Sequence, residues 1–316
     1  MPRFILLLLG ITFLSFALIH MAPGGPADAL RAQDPRMSAE SARRIEALYG
    51  LDDPLLVQYG RWLKRVAVLD FGRSYRDGEP VAAKIARAVP VTLSLNLLSL
   101  FFIFAIGIPL GVSQAAREGS RWDRWTGSLT MAGFSVPTFW LALLLMNLLG
   151  VHLRWLPVSG LVSLDFESYS WWQKLWDLKR HLILPVLIAS VTGLAGISRF
   201  MRSSMAGVLT ENYIRAARAR GLSERRVIYG HALRNALLPV VTILGLSVPG
   251  LLGGSVIFES IFSLPGMGRL FYESVFSRDY PVILAVLFIG SVLTLLGNRL
   301  ADGAYRLADP RVRHGR

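Results

Sequence analysis

Between Arg87 and Arg117 the chain reads AVPVTLSLNLLSLFFIFAIGIPLGVSQAA, residues 88–116, without a single Asp, Glu, Lys or Arg. A membrane-spanning helix needs roughly 17–25 mostly apolar residues, so this run can cross a bilayer with residues to spare. Five further charge-free stretches lie on either side of it: 4–27, 125–153, 181–198, 235–258 and 280–298. Composition agrees. The 316 residues are 53% hydrophobic, with a mean hydropathy of +0.46, above the roughly 45–50% of an ordinary soluble domain. The reading is an all-α membrane protein with six transmembrane helices. There is no cysteine, which excludes disulfides and thiolate metal sites.

The first run invites comparison with a cleaved signal peptide, since Arg3 precedes it. Its apolar stretch is longer than a typical signal core, and no clear small-x-small cleavage site precedes Pro23-Gly24-Gly25. A retained span is the expectation. The fourth run is the shortest and contains Pro185; it is expected to continue as helix past Arg199.

Net charge is +13 and the isoelectric point about 10.7. Such a balance suits nucleic acid, anionic lipid or membrane topology, and the placement of the charges chooses between them. With the N-terminus cytoplasmic, the inner segments hold Arg3, three arginines at 117–124, eight at 199–234 and five from Arg299 to Arg316. They carry 17 positives against six acids; the outer segments carry 17 against 15, and the two short outer loops among them hold only six positives, Arg154, Lys174, Lys179, Arg180, Arg269 and Arg278. Both termini are therefore placed inside, most of the basicity is topology, and no nucleic-acid partner is expected. The chain then divides into a first helix at 1–22, an outer region at 23–87 and a five-helix core at 88–316. The outer region holds two amphipathic patterns, Ala42/Ile45/Leu48/Tyr49 and Leu55/Tyr59/Trp62/Leu63/Val66. They suit either a small helical cap or a pair of helices on the membrane surface.

Much chemistry is missing. The span interiors contain no ionisable residue of the kind ion-coupled carriers use; His20 and His152 sit near span ends. There is no zinc-binding His-Glu-x-x-His, no Gly-x-Ser-x-Gly elbow and no phosphate-binding Gly-x-x-x-x-Gly-Lys loop. The chain is thus read as neither an enzyme nor an ATPase, with no metal site and no cofactor of its own. Asp52–Asp53 before Pro54 reads as a turn. Pro109, Pro137 and Pro249, with Gly250, Gly253 and Gly254, fall within spans. Such residues either pack membrane helices or kink them around a path.

The loop at 199–234 is the segment with specific chemistry. Residues 210–221 read as a helix stopped by Gly221, with arginines near its end that suit the helix dipole. Ser223 is placed to cap a second helix beginning at Glu224, whose apolar edge is Val227, Ile228 and Ala232. Ala216, Ala217 and Ala219 are expected on an exposed turn, where small side chains allow a partner backbone to approach. The loop suits a helix lying in a partner's groove; the bland alternative is a basic loop touching lipid headgroups.

Ala216-Ala217-x-x-x-Gly221 resembles the coupling motif of permease subunits of ABC importers, the Glu-Ala-Ala-x-x-x-Gly loop. Arg215 stands where the general motif has Glu, and Leu238-Pro239 lies later than usual. Both departures resemble the dipeptide/oligopeptide branch, as do Pro23-Gly-Gly-Pro26, Leu48-Tyr-Gly-Leu-Asp52, Asp70-Phe-Gly-Arg-Ser74, Ser135-Val-Pro-Thr-Phe139, Phe258-Glu259, Phe262-Ser-Leu-Pro-Gly-Met-Gly268 and Ala308-Asp-Pro-Arg-Val-Arg313. These segments extend over most of the chain.

The resemblance implies a type I importer permease fold in the bacterial cytoplasmic membrane. It makes this the first of two permeases, paired with a second and with two ATP-binding subunits that hold ATP and Mg. It also implies a periplasmic or lipid-anchored solute-binding protein. Coupling residues by this resemblance are Arg215, Ala216, Ala217, Gly221, Leu222, Ser223, Glu224 and Arg225. Substrates in the branch include peptides, nickel chelates, glutathione and opines, and no substrate-binding residue follows from the sequence. The competing expectation is an ATP-independent secondary carrier, against which the charge-free spans speak.

Overall fold

The computed structural model describes residues 2–21, 24–26, 40, 47, 50–251 and 254–308. Among these the only extended pairing is one isolated bridge, Arg73 with Pro80; everything else regular is helical. In chain order the helices are α1 (Pro2–Met21), α2 (Leu55–Ala67), α3 (Val81–Ala116), α4 (Arg121–Ser135), α5 (Thr138–Leu145), α6 (Trp171–Leu209), α7 (Asn212–Ala219), α8 (Glu224–Ala236), α9 (Leu238–Ser247), α10 (Val256–Ile261), α11 (Met267–Phe276) and α12 (Tyr280–Ala308).

Four of the six expected spans are single helices long and apolar enough to cross a membrane: α1, α3, α6 and the first part of α12. The other two are bent. α4 and α5, which continues in π-helical form to His152, meet at 98° across Val136–Pro137. Helical geometry is disfavoured before proline, and Pro137 has no N–H to donate; Val136 accordingly turns extended, with φ −83° and ψ 127°. α8 and α9 meet at 48°. The fifth charge-free stretch is not one helix as far as Phe258. Its helix ends at Ser247, a 3₁₀ turn occupies Val248–Leu251, and a new short helix starts at Val256. Pro249 lacks an N–H to continue the ladder, and Gly250 and Gly254 lie in the same interruption.

α6 does continue past Arg199, as expected, and it also starts ten residues before the expected 181. Its 39 residues include Pro185. At 1.5 Å per residue it is roughly 58 Å long, about twice the hydrocarbon thickness of roughly 30 Å, so it carries the chain well outside the bilayer. α3 likewise begins at Val81, inside the segment assigned to the outer region.

The chain divides into two compact units, one of residues Met1–Thr92, Leu252–Ser260 and Leu264–Leu296, the other of Leu93–Leu251, Ile261–Ser263 and Gly297–Arg316. In the first, the α2 pattern packs on α1. Tyr59 and Trp62 lie against Phe16, and the Tyr59 hydroxyl is 3.0 Å from Thr12 Oγ1. The companion pattern at Ala42–Tyr49 lies outside the described residues. α3 and α12 share an apolar core of Val81, Ile85, Val282 and Ala285.

In the second unit α3 and α6 approach closely because glycines line the contact. A Cβ on Gly111 would lie 2.4 Å from the Ser198 carbonyl oxygen, and one on Gly107 would lie 3.0 Å from Ile197 Cγ2. Gly107-x-x-x-Gly111 is the small-residue spacing that lets membrane helices touch backbone to side chain.

Candidate functional site

The loop at 199–234 is built as α7 held between the end of α6 and the start of α8. α7 stops in a two-bond αL turn. The Gly221 N–H donates to the Arg218 carbonyl at 2.9 Å and the Leu222 N–H to the Ala217 carbonyl at 3.4 Å. Gly221 has φ +77°, a conformation that costs an L-residue about 1–2 kcal/mol. This pairing, with a hydrophobic contact between the residue after the glycine and the last turn, is the Schellman arrangement. Leu222 supplies that contact by packing on the cluster that contains Ala217.

α7 has two faces. Ile214 and Ala217 are 0% and 1% exposed, and they join Met201 and Met205 of α6, Val112 of α3 and Val227 and Ala232 of α8 in one apolar cluster. The opposite face presents Arg215, Ala216 and Ala219 to solvent, followed by exposed Ser223, Glu224 and Arg225. Ala217 is therefore not on an exposed turn as expected: the 3.6-residue period turns it inward, three positions after Ile214. The eight residues singled out from the sequence divide accordingly. Ala217, Gly221 and Leu222 build the turn and its foundation; Arg215, Ala216, Ser223, Glu224 and Arg225 form the accessible surface.

Ser223 occupies the cap position, but its side chain makes no capping hydrogen bond. Its backbone carbonyl accepts from the N–H groups of Arg226 and Val227 at 2.8 and 3.0 Å instead. The turn is closed across its mouth by Arg218, whose guanidinium donates to both Glu224 oxygens at 2.7 and 3.2 Å. That carboxylate raises the Arg218 pKa above its already high ordinary value, so the pair stays charged. The Asn235 amide donates to the Tyr213 hydroxyl at 2.7 Å, a second tie between α7 and α8.

Two carboxylates that sequence reasoning treated only as counted charges or motif letters prove structural. Asp123 at the start of α4 accepts from Arg202 Nε and Nη2 at 2.7 and 2.8 Å and from the Gly119 N–H at 3.0 Å. Arg202, one of the eight loop arginines, is thus a clamp between α6 and α4. Glu259 is 0% exposed. It accepts from the Thr92 hydroxyl at 2.8 Å and from the Arg269 N–H at 3.0 Å, while Thr92 Oγ1 accepts from the Met267 N–H at 2.8 Å. A Cβ on Gly266 would come 2.4 Å from Glu259 Oε2, which explains the glycine in Pro265-Gly266-Met267. The usable signal was a lone acid followed closely by Gly266 and Gly268. Among the described residues no group of three metal-ligating side chains forms.

Comparison with known proteins decides the family. Residues 107–314 match the binding-protein-dependent transport system inner membrane component, and residues 2–96 match the N-terminal part of such components. The chain belongs to this family. Among its relatives, the oligopeptide transport system permease protein AppB of Bacillus subtilis (strain 168) is 43% identical over 98% of this chain and 96% of its own length. The di/tripeptide permease DppB of Pseudomonas aeruginosa is 40% identical, over 97% of this chain and 95% of its own. The dipeptide permease DppB of Escherichia coli K12 is 39% identical, over 99% and 96%. A solved chain of the inward-facing MetNI methionine ABC transporter covers 73% of this chain and 99% of its own, with a TM-score of 0.55 at 20% identity. That likeness concerns the fold, and it bears out the importer-permease architecture expected from the sequence. The chain is a multi-pass membrane protein of the transport machinery, not an enzyme.

Proposed function

We propose that this chain is the first permease subunit of an ATP-driven importer that moves peptides across the bacterial cytoplasmic membrane. The observation that carries this reading is its end-to-end likeness to oligopeptide and dipeptide permeases at 39–43% identity. A second, related permease completes the translocation path. Two ATP-binding subunits, carrying ATP and Mg, seat themselves on the loop between α6 and α8. A solute-binding protein delivers substrate from outside. With both termini cytoplasmic, the arginine-rich loop faces those ATPases.

The split faces of α7 support the docking part. One face is fixed to α3, α6 and α8 by the apolar cluster, so a push on α7 is passed to a 39-residue helix rather than absorbed by a slack loop. The other face offers Ala216 and Ala219 for close approach and Arg215 and Arg225 for charge pairing.

The test has two arms. The ATP-binding subunits co-purify with this chain, and the cognate solute-binding protein, titrated with dipeptides, oligopeptides, glutathione and nickel chelates, binds peptides. Failure of co-purification sinks the importer reading; binding of a chelate alone sinks only the peptide assignment.

A further inference from the structure

An apolar groove of about 590 Å³ runs along α6 from Leu175 to Leu194, with Leu98, Phe102 and Ile106 of α3 as its second wall. Apart from Lys179 and Ser190 its lining is wholly aliphatic or aromatic. The volume falls in the roughly 300–1,000 Å³ range of small-molecule pockets. Beneath it the helices are joined by Ser190 Oγ, which donates to the carbonyls of Val186 and Ser99 at 2.6 and 3.3 Å. The Ser190 hydroxyl is therefore satisfied internally, and a lining this apolar asks for an apolar occupant.

One end of the groove is chemically different. Lys179 stands there with its ammonium 5.2 Å from the centre of the Trp176 ring, and it forms no ion pair among the described residues. Its basic neighbours are engaged: Lys174 lies 3.5 Å from Glu167, and Arg180 donates to the Trp155 carbonyl at 3.0 Å. Trp171, Trp172 and Trp176 are all exposed around this end, as tryptophans are at a membrane–water interface. An unpaired ammonium at interface depth, above a dry furrow, is matched by an acyl chain ending in a phosphate. With Lys174 offset by Glu167 and Arg180 facing the Asp177 carboxylate, Lys179 leaves this end with net positive charge, which favours a headgroup with net negative charge over one that carries its own ammonium.

One leaflet's acyl chain, about 15 Å of hydrocarbon, reaches along α6 from Lys179 to the level of Ser190.

We propose that this groove binds an anionic phospholipid, one acyl chain lying between Leu187 and Phe102 and the phosphate held by Lys179. It rests on the membrane reading of α3 and α6 and not on the identity of the transported substrate.

The test uses the assembled transporter in nanodiscs of mixed phosphatidylglycerol and phosphatidylethanolamine, followed by native mass spectrometry after gentle detergent extraction. The wild type retains phosphatidylglycerol. Leu187→Trp, which fills the groove, loses it, whereas Leu129→Trp, on an exposed position of α4, retains it. Lys179→Gln leaves the fold untouched and lowers the preference for phosphatidylglycerol over phosphatidylethanolamine about fivefold, the effect of one basic residue at an anionic surface. A photo-crosslinker at position 102 gains the mass of a phospholipid. Equal retention in Leu187→Trp, an unchanged preference in Lys179→Gln, or a crosslink from position 102 to protein overturns the assignment.

Discussion

Ala216→Trp and Ala217→Leu are adjacent substitutions with opposite expected signatures. Ala217 is 1% exposed beside Ile214, Val227 and Ala232. Adding three carbons to a filled core site costs about 1–3 kcal/mol, and α7 loses its seat. Ala217→Leu therefore lowers the unfolding temperature of the purified permease pair and weakens ATPase association as a consequence. Ala216 is exposed; a surface change of this kind alters stability by about 0.5 kcal/mol or a little more, given the poorer helix propensity of Trp. A bulky ring on a helix face that must lie in a partner's groove is a different matter. Loss of a central interface contact is worth about 2 kcal/mol or more, close to thirtyfold in affinity. The assay is ATP-binding-subunit affinity for the permease pair in nanodiscs, with thermal unfolding measured on the same samples. Ala216→Trp should unfold like the wild type and bind about thirtyfold more weakly. Wild-type affinity in Ala216→Trp would remove the docking role of this face, whatever Ala217→Leu does.

Other expected outcomes follow from the buried contacts. Glu259→Gln presents an amide NH₂ to a site where the Thr92 hydroxyl and the Arg269 N–H both donate; one donor is left unmatched, at about 1–3 kcal/mol, read as a lower unfolding midpoint. Gly111→Val drives its side chain into the Ser198 carbonyl and Met201 and should abolish folded yield in size-exclusion profiles, whereas Gly10→Val, with nothing within 4 Å, should not. Asp123→Asn weakens the two-pronged hold on Arg202. The loss should be about 2 kcal/mol, below the 3–5 kcal/mol of a fully buried pair, because the Arg202 side chain is 36% exposed. A double-mutant cycle with Arg202→Met measures it, and a coupling near zero would contradict the clamp.

Four spans were legible in the sequence because a helix in lipid must be continuously apolar, and α1, α3, α6 and α12 each contain such a stretch. The bends were not. Pro137 and the proline and glycines near 250 read first as packing residues and only second as breakers, since membrane helices satisfy freed backbone groups through their neighbours. Burial inside α7 was also hidden. Ala217 and Ala216 are the same residue type, and only the phase of the helix, set by Ile214 against the α6 methionines, decides which one faces outward. An arginine count bears on orientation and says nothing of pairing, so it does not reveal that Arg202 and Arg218 each hold a carboxylate. Glu259 stands in a motif whose residue types assign it no role; its hydrogen-bond partner Thr92 lies 167 positions away, a separation no local pattern reveals.

The most direct test of the importer account is peptide uptake into proteoliposomes that contain this chain, its second permease and the ATP-binding subunits, with the loaded solute-binding protein outside and ATP within. Uptake should require ATP, stop when the ATP-binding subunits are omitted, and fall in Ala216→Trp. Peptide accumulation driven by an ion gradient, with neither ATP nor those subunits present, would contradict it.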